Sequence, residues 1–244
     1  MSARRIALLA ALPVLAACGS SPAAPPAAGP PPAPPAPATA LDALEHRLEA
    51  AHTFQFRVRL ATSGRIASHF EGTVVAGEGG RMRLALQGSF GGRDEDALFV
   101  SDGARMRGGR RGQPFEMDAP PGVREGVVVA FVRMGLTHDV ARLAAGRTPD
   151  YIDGSAARHL EVVGAAHLAG EAVRGAATEE WTWGLFVDHR SAADEALWLD
   201  AGTGLPVKRR VTVHFPEGDM DVGEEYEDFV VDGPVPEDTF RVQP

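Results

Sequence analysis

The sequence predicts an α+β fold in one domain, with antiparallel strands at its start and end and helices between them. Three observations point there. Apolar and polar residues alternate from Phe54 onward and again from Thr178, the period of a strand with one buried face. Between these stretches, residues 123–145 change to a helical period. Glycine-rich breaks separate the alternating runs, as in hairpin-connected strands. At 244 residues, 44% of them hydrophobic, the chain can bury one large core.

Leu41, Leu44, Leu48 and Ala51 recur at helical spacing among Asp42, Glu45, Arg47 and Glu49, which predicts a short amphipathic helix over 41–52. Phe54, Phe56, Val58 and Leu60 then alternate with Gln55, Arg57 and Arg59 in a strand. Ile66 to Val75, followed by Met82, Leu84 and Leu86, continues the meander. Leu98 and Val100 lead into Ser101-Asp102-Gly103, a hairpin turn in which glycine supplies positive φ. Arg107 to Gly112, three arginines and three glycines, reads as a loop that is either solvated or in touch with a phosphate or an acidic partner.

Val127, Val128, Val129, Phe131, Val132, Met134 and Leu136 cover most of a helical circumference, and such a helix wants cover on both sides. Residues 127–132 are also β-branched enough for a buried strand. Farther on, Trp181, Trp183, Leu185 and Val187 share one strand parity. Ala196 to Asp200 turns through Ala201-Gly202-Thr203-Gly204 into a strand carrying Val207, Val211, Val213 and Phe215. A last long strand carries Met220, Val222, Tyr226, Phe229 and Val230, and no internal repeat is present.

Arg4 and Arg5 precede an apolar run from Ile6 to Leu15, broken by Pro13 and too short to span a bilayer, so residues 1–17 read as a secretion signal. The run ends in Leu15-Ala16-Ala17-Cys18, which resembles the lipobox of bacterial lipoproteins. That resemblance implies cleavage before Cys18 and a lipid anchor on it. Gly19, in place of an aspartate after the cysteine, implies a protein anchored in the outer membrane and facing the periplasm. Residues 18–40 form a tether, with nine prolines between Gly19 and Ala40. Semi-extended at about 3.1 Å per residue, it reaches roughly 70 Å. Residues 41–244 are the folded domain.

Several chemistries are excluded. Cys18 is the only cysteine, which leaves no disulfide framework, CxxC motif or cysteine zinc cluster. A formal net charge of -9 argues against nucleic acid as partner. Eight histidines occur without HExxH or a close pair, so no metal site is expected. There is no GxSxG elbow, and Lys208, the single lysine, lies in no phosphate-loop framework. The sequence predicts a binding protein without a cofactor rather than an enzyme. The acidic run Glu217, Asp219, Asp221, Glu224, Glu225, Glu227 and Asp228 misses calcium-loop spacing and reads as a solvated strand face.

The segment Leu197-Trp198-Leu199-Asp200-Ala201-Gly202-Thr203-Gly204-Leu205-Pro206-Val207-Lys208-Arg209 resembles a hairpin of the periplasmic lipoprotein-carrier superfamily, which includes lipoprotein localisation factors and mycobacterial lipid-carrying lipoproteins. Tyr226-Glu227-Asp228-Phe229 and Pro234-Val235-Pro236-Glu237-Asp238-Thr239-Phe240 resemble that superfamily's closing strand and tail. The resemblance implies a strongly curved antiparallel half-barrel whose concave face is closed by helices and binds acyl chains.

On that reading Phe56, Val58, Phe70, Trp181, Trp183, Val211, Val213 and Phe215 line an acyl cavity, with Phe131 and Met134 in its lid. The same residues equally suit a filled core. Arg209 shares the parity of Val211 and Val213 and would point inward, where an arginine needs a partner. It would hold a lipid head group or latch lid carbonyls; a bulge near Pro206 or a strand-end position would instead turn it to solvent. The sequence supports two functions. One is an envelope lipoprotein that binds a lipid or an acylated ligand non-covalently. The other is an interaction or sensor module that binds an envelope protein.

Overall fold

The computed structural model describes residues 37–110, 112–138, 140 and 160–242. The expected secretion signal, Cys18, the tether up to residue 36, and residues 141–145 of the expected helix lie outside the described residues. Helix α1 (Pro37–Ala50) starts four residues before the apolar spacing predicts. Pro37 opens it, a place where the missing N–H forfeits no helical hydrogen bond.

Among the described residues eleven strands make one open, curved sheet: β1 (Phe54–Gly64), β2 (Ser68–Ala76), β3 (Arg81–Phe90), β4 (Arg93–Asp102), β5 (Arg105–Arg110), β6 (Gln113–Asp118), β7 (Leu160–Ala169), β8 (Thr178–Val187), β9 (Arg190–Asp200), β10 (Pro206–Val213) and β11 (Met220–Val231). Their spatial order is β6-β5-β4-β3-β2-β1-β11-β10-β9-β8-β7. Two meanders therefore run outward from a central antiparallel β1–β11 pair. Helix α2 (Val123–Met134) follows β6, so the 127–132 stretch is helix rather than strand.

The inner face of the sheet takes the alternating apolar residues. Phe54, Phe56, Val58 and Leu60 of β1, Met82, Leu84 and Leu86 of β3, and Trp181, Trp183 and Leu185 of β8 share one core with Leu44 and Leu48 of α1 and Phe131 and Val132 of α2. Both helices thus lie on this inner face. Each large side chain fully buried there contributes about 1.5–3 kcal/mol.

Three stretches depart from the sequence expectation. Arg107 to Arg110 belong to strand β5 rather than to a loop, and β5 pairs with β6. Gly108 makes that hairpin possible: a Cβ there would sit 2.7 Å from the ring of Phe115, its partner across the pair. Strand β7 has no apolar alternation to announce it, since Gly164, Ala165 and Ala166 occupy its middle and a bulge falls between Val163 and Ala166. In β11 an extra residue, with Asp228 at φ 52, shifts the register against β1. The shift brings Phe229 inward, where its ring stacks 4.6 Å from that of Phe56.

Candidate functional site

Helices α1 and α2 end on the inner face, and each presents carbonyls that have no partner within the helix. An arginine meets each end. Arg124 of α2 donates from Nη2 to Leu48 O at 2.8 Å and Ala51 O at 2.5 Å, closing α1. Arg209 of β10 donates from Nη2 to Phe131 O at 2.8 Å and Val132 O at 2.6 Å, closing α2. Positive charge at a helix C-terminus is favourable as well as geometrically apt. Arg133 adds a tie between the helices through Glu45, at 2.5 and 2.8 Å, and Asp42, at 3.1 Å.

Arg209 is 1% exposed, although it carries a full charge. The bulge anticipated near Pro206 exists, but it falls between Pro206 and Lys208. Arg209 lies beyond it, keeps the parity of Val211 and points inward. Glu195 of β9 accepts from its Nη1, the Tyr226 hydroxyl oxygen lies 3.4 Å from its Nε, and the ring of Trp183 lies 5.6 Å from its guanidinium carbon. Glu224, its direct partner across the β10–β11 pair, is fully buried. Glu224 accepts from Leu136 N at 3.1 Å, Thr137 N at 2.7 Å, Thr137 Oγ1 at 2.6 Å and the Tyr226 hydroxyl.

The sheet thus grips both sides of the turn that ends α2: Arg209 holds its last carbonyls and Glu224 holds the next amides. Gly135 sits between them at φ 76. A Cβ on it would lie 2.7 Å from Arg209 Cδ and from both Glu224 oxygens, so only glycine fits this latch.

Burial dominates the electrostatics. It pushes the Glu195 carboxyl up to about 7, against the pull of Arg209. Burial also opposes the charge on Arg209, but Glu195, Tyr226 and Glu224 outweigh it and raise its proton affinity. Burial first and Glu224 second hold the Tyr226 hydroxyl well above its ordinary range. A cluster of this kind adds little net stability compared with an apolar replacement, yet loss of one member is costly. It specifies where α2 sits.

The residues expected to line a cavity are mostly brought together. Phe56, Val58, Phe70, Phe131, Trp181, Trp183 and Val211 are buried in the shared core, with Met134 and Val213 packed against it. Beneath α2, Phe56 and Phe131 stack at 5.1 Å, and Tyr226 meets both edge-on at 5.6 and 5.3 Å. Phe215 does not join them. It lies beyond the end of β10, 37% exposed, under the Arg65 guanidinium at 4.9 Å. A cavity of about 620 Å³ between Arg57, Thr73, Arg83 and Leu98 opens on the sheet's outer face.

Glu195 and Glu224 are not evident from sequence. Glu224 belongs to the acidic run expected on a solvated face; Glu217, Asp219, Asp221, Glu225 and Asp228 of that run are exposed, whereas Glu224 is buried. The signal that finds both is parity, because Glu224 falls in step with Val222 and Tyr226, and Glu195 with Ala193 and Leu197. The hairpin at Asp200 is architectural: Asp200 Oδ1 accepts from Gly202 N, Thr203 N and Thr203 Oγ1, while Arg47 of α1 donates to Thr203 O. Among the described residues no group of acidic, histidine or cysteine side chains could hold a metal, and no helix is long and apolar enough to cross a membrane.

No family model matches the chain, and no curated protein matches it. Among solved structures it is similar to the Pseudomonas aeruginosa MucA/MucB complex, at 15% identity and a TM-score of 0.42, over 85% of this chain and 61% of that one. It is also similar to a LolA superfamily protein from Nitrosomonas europaea, at 11% identity and a TM-score of 0.33, over 86% of this chain and 99% of that one. An outer membrane lipoprotein-sorting protein domain from Vibrio parahaemolyticus is similar at 10% identity and a TM-score of 0.31, over 83% and 94% of the two chains. The chain spans about three fifths of the length of the first of these.

Proposed function

We propose that this protein is a lipid-anchored envelope lipoprotein, held by Cys18 in the outer membrane and facing the periplasm, that binds a lipid or an acylated ligand non-covalently between its sheet and helix α2. The observation that carries this reading is the way α2 is held. Its apolar side lies on aromatic and aliphatic residues of the inner face, while its C-terminal end is fixed by the Arg209–Glu195–Glu224 cluster. Such a cluster specifies a position without adding much net stability, which suits a cover that opens. With α2 raised, Phe56, Val58, Phe70, Trp181, Trp183, Val211 and Val213 would form an apolar trough, with Phe131 and Met134 on the underside of the cover. Hydrocarbon needs no further chemistry to bind there.

A second reading, an interaction or sensor module for an envelope protein, is favoured by the ring-to-ring packing of Phe131 of α2 on Phe56 and Tyr226 and by Val163 and Leu168, which are 47% and 51% exposed on edge strand β7. Native mass spectrometry of the chain purified gently from envelopes separates the two. A discrete adduct released on denaturation as lipid is the expected result. Absence of any adduct, with added lipids also failing to bind, overturns the lipid reading in favour of a protein partner.

A further inference from the structure

The two halves of the inner face differ in chemistry. Towards β1–β4 it carries Phe70, Leu84, Leu86 and Phe99, side chains without a polar atom. Towards β8 and β9 it carries three polar atoms that are sealed from solvent and have no hydrogen-bond partner among the described residues: Trp181 Nε1, Trp183 Nε1 and Glu195 Oε1. The three residues are 2%, 3% and 4% exposed. Trp183 and Glu195 face each other directly across the β8–β9 pair, and Trp181 stands two residues along on the same face. Buried indole N–H groups ordinarily find an acceptor, and each unsatisfied buried polar group is costly. Other buried polar atoms without a partner, Arg124 Nε and Trp198 Nε1 among them, are scattered; three together on one patch of the inner face call for an explanation.

Resting on the lipid reading above, we infer that this patch is the head-group site, and that the ligand is an amphiphile whose uncharged head both accepts and donates hydrogen bonds, as a hydroxyl or a secondary amide does. Indole N–H groups can only donate, so the head must offer them an acceptor; Glu195 Oε1 accepts when ionised and can donate when protonated, so a head with both an acceptor and a donor satisfies it in either state. An anionic head is disfavoured. It would meet Glu195, and the neighbouring Arg209 already has Glu195, Tyr226, Phe131 O and Val132 O as acceptors for its nitrogens. The acyl chain then runs across the sheet towards Phe70 and Phe99, which fixes the orientation of the ligand.

The test compares three probes that share one unsaturated hydrocarbon chain, 1-monooleoylglycerol, cis-9-octadecene and oleate, titrated against the full chain and its Trp183→Phe variant. The expected result is that wild type binds monooleoylglycerol about tenfold more tightly than the other two, as one added well-made hydrogen bond would give. Trp183→Phe should lose most of that preference and bind monooleoylglycerol and cis-9-octadecene about equally tightly. In nitrogen-labelled wild type, the indole N–H proton resonances of Trp181 and Trp183 should move downfield with monooleoylglycerol and not with cis-9-octadecene, a readout that survives if the variant fails to fold. Equal binding of all three probes with unmoved indole resonances overturns the head-group site and leaves the lipid reading standing. Failure of every probe to bind overturns both.

Discussion

Replacing Glu195 with glutamine probes the buried cluster through its pH dependence. In the unfolded chain this carboxyl titrates near its ordinary 4.5, whereas burial in the fold moves it up to about 7. The folded form therefore binds the proton more tightly, so this group's stabilising contribution is complete below pH 4.5 and is lost as pH rises through 7. At about 1.4 kcal/mol per pH unit the full effect is about 3 kcal/mol, most of it between pH 5 and pH 8. Urea unfolding at those two values, followed by the fluorescence of buried Trp181, Trp183 and Trp198, measures it. Glu195→Gln should remove roughly 2–3 kcal/mol of the wild-type loss between the two pH values. An identical pH dependence in both proteins would refute the reasoning, because it would mean that Glu195 is solvated or ionised throughout.

Arg209→Met strands Glu195 and removes the arginine donor from Phe131 O and Val132 O, of which Phe131 O keeps only the Gly135 amide, so it should cost about 3–5 kcal/mol in urea unfolding; adding Glu195→Leu should restore part of that loss. Gly135→Ala places a methyl group against Arg209 Cδ and Glu224 at a positive φ, and should destabilise by more than about 1 kcal/mol, measured as a fall in unfolding midpoint. Cys18→Ala should release the protein from membranes into the soluble envelope fraction, and continued membrane fractionation would contradict the proposed anchor.

Much of the fold is written locally. The alternation of Phe54 to Leu60 and of Trp181 to Val187 reports strands directly, because one face of each is buried and the other wet. The inward direction of Arg209 follows from the same parity. Its partners are not legible, since Glu195 and Glu224 are carboxylates within polar stretches, and only the register of β9, β10 and β11 shows that they converge. The β5–β6 hairpin is hidden for another reason. Its inner face is filled by Phe115 reaching over Gly108, so the glycine that signals a loop in sequence is a packing partner in the sheet. Phe215 misleads because parity continues past Val213 in the sequence, whereas β10 ends there.

Hydrogen exchange of the α2 amides tests most directly whether this helix is a releasable cover. If the latch is what holds it, Val128 to Val132 should exchange through a local opening of lower free energy than that of the central β1–β11 pair, and Arg209→Met should accelerate α2 while leaving β1 and β11 nearly unchanged. Exchange of α2 only through global unfolding, at the same free energy as β1 and β11 in both proteins, would contradict a releasable cover.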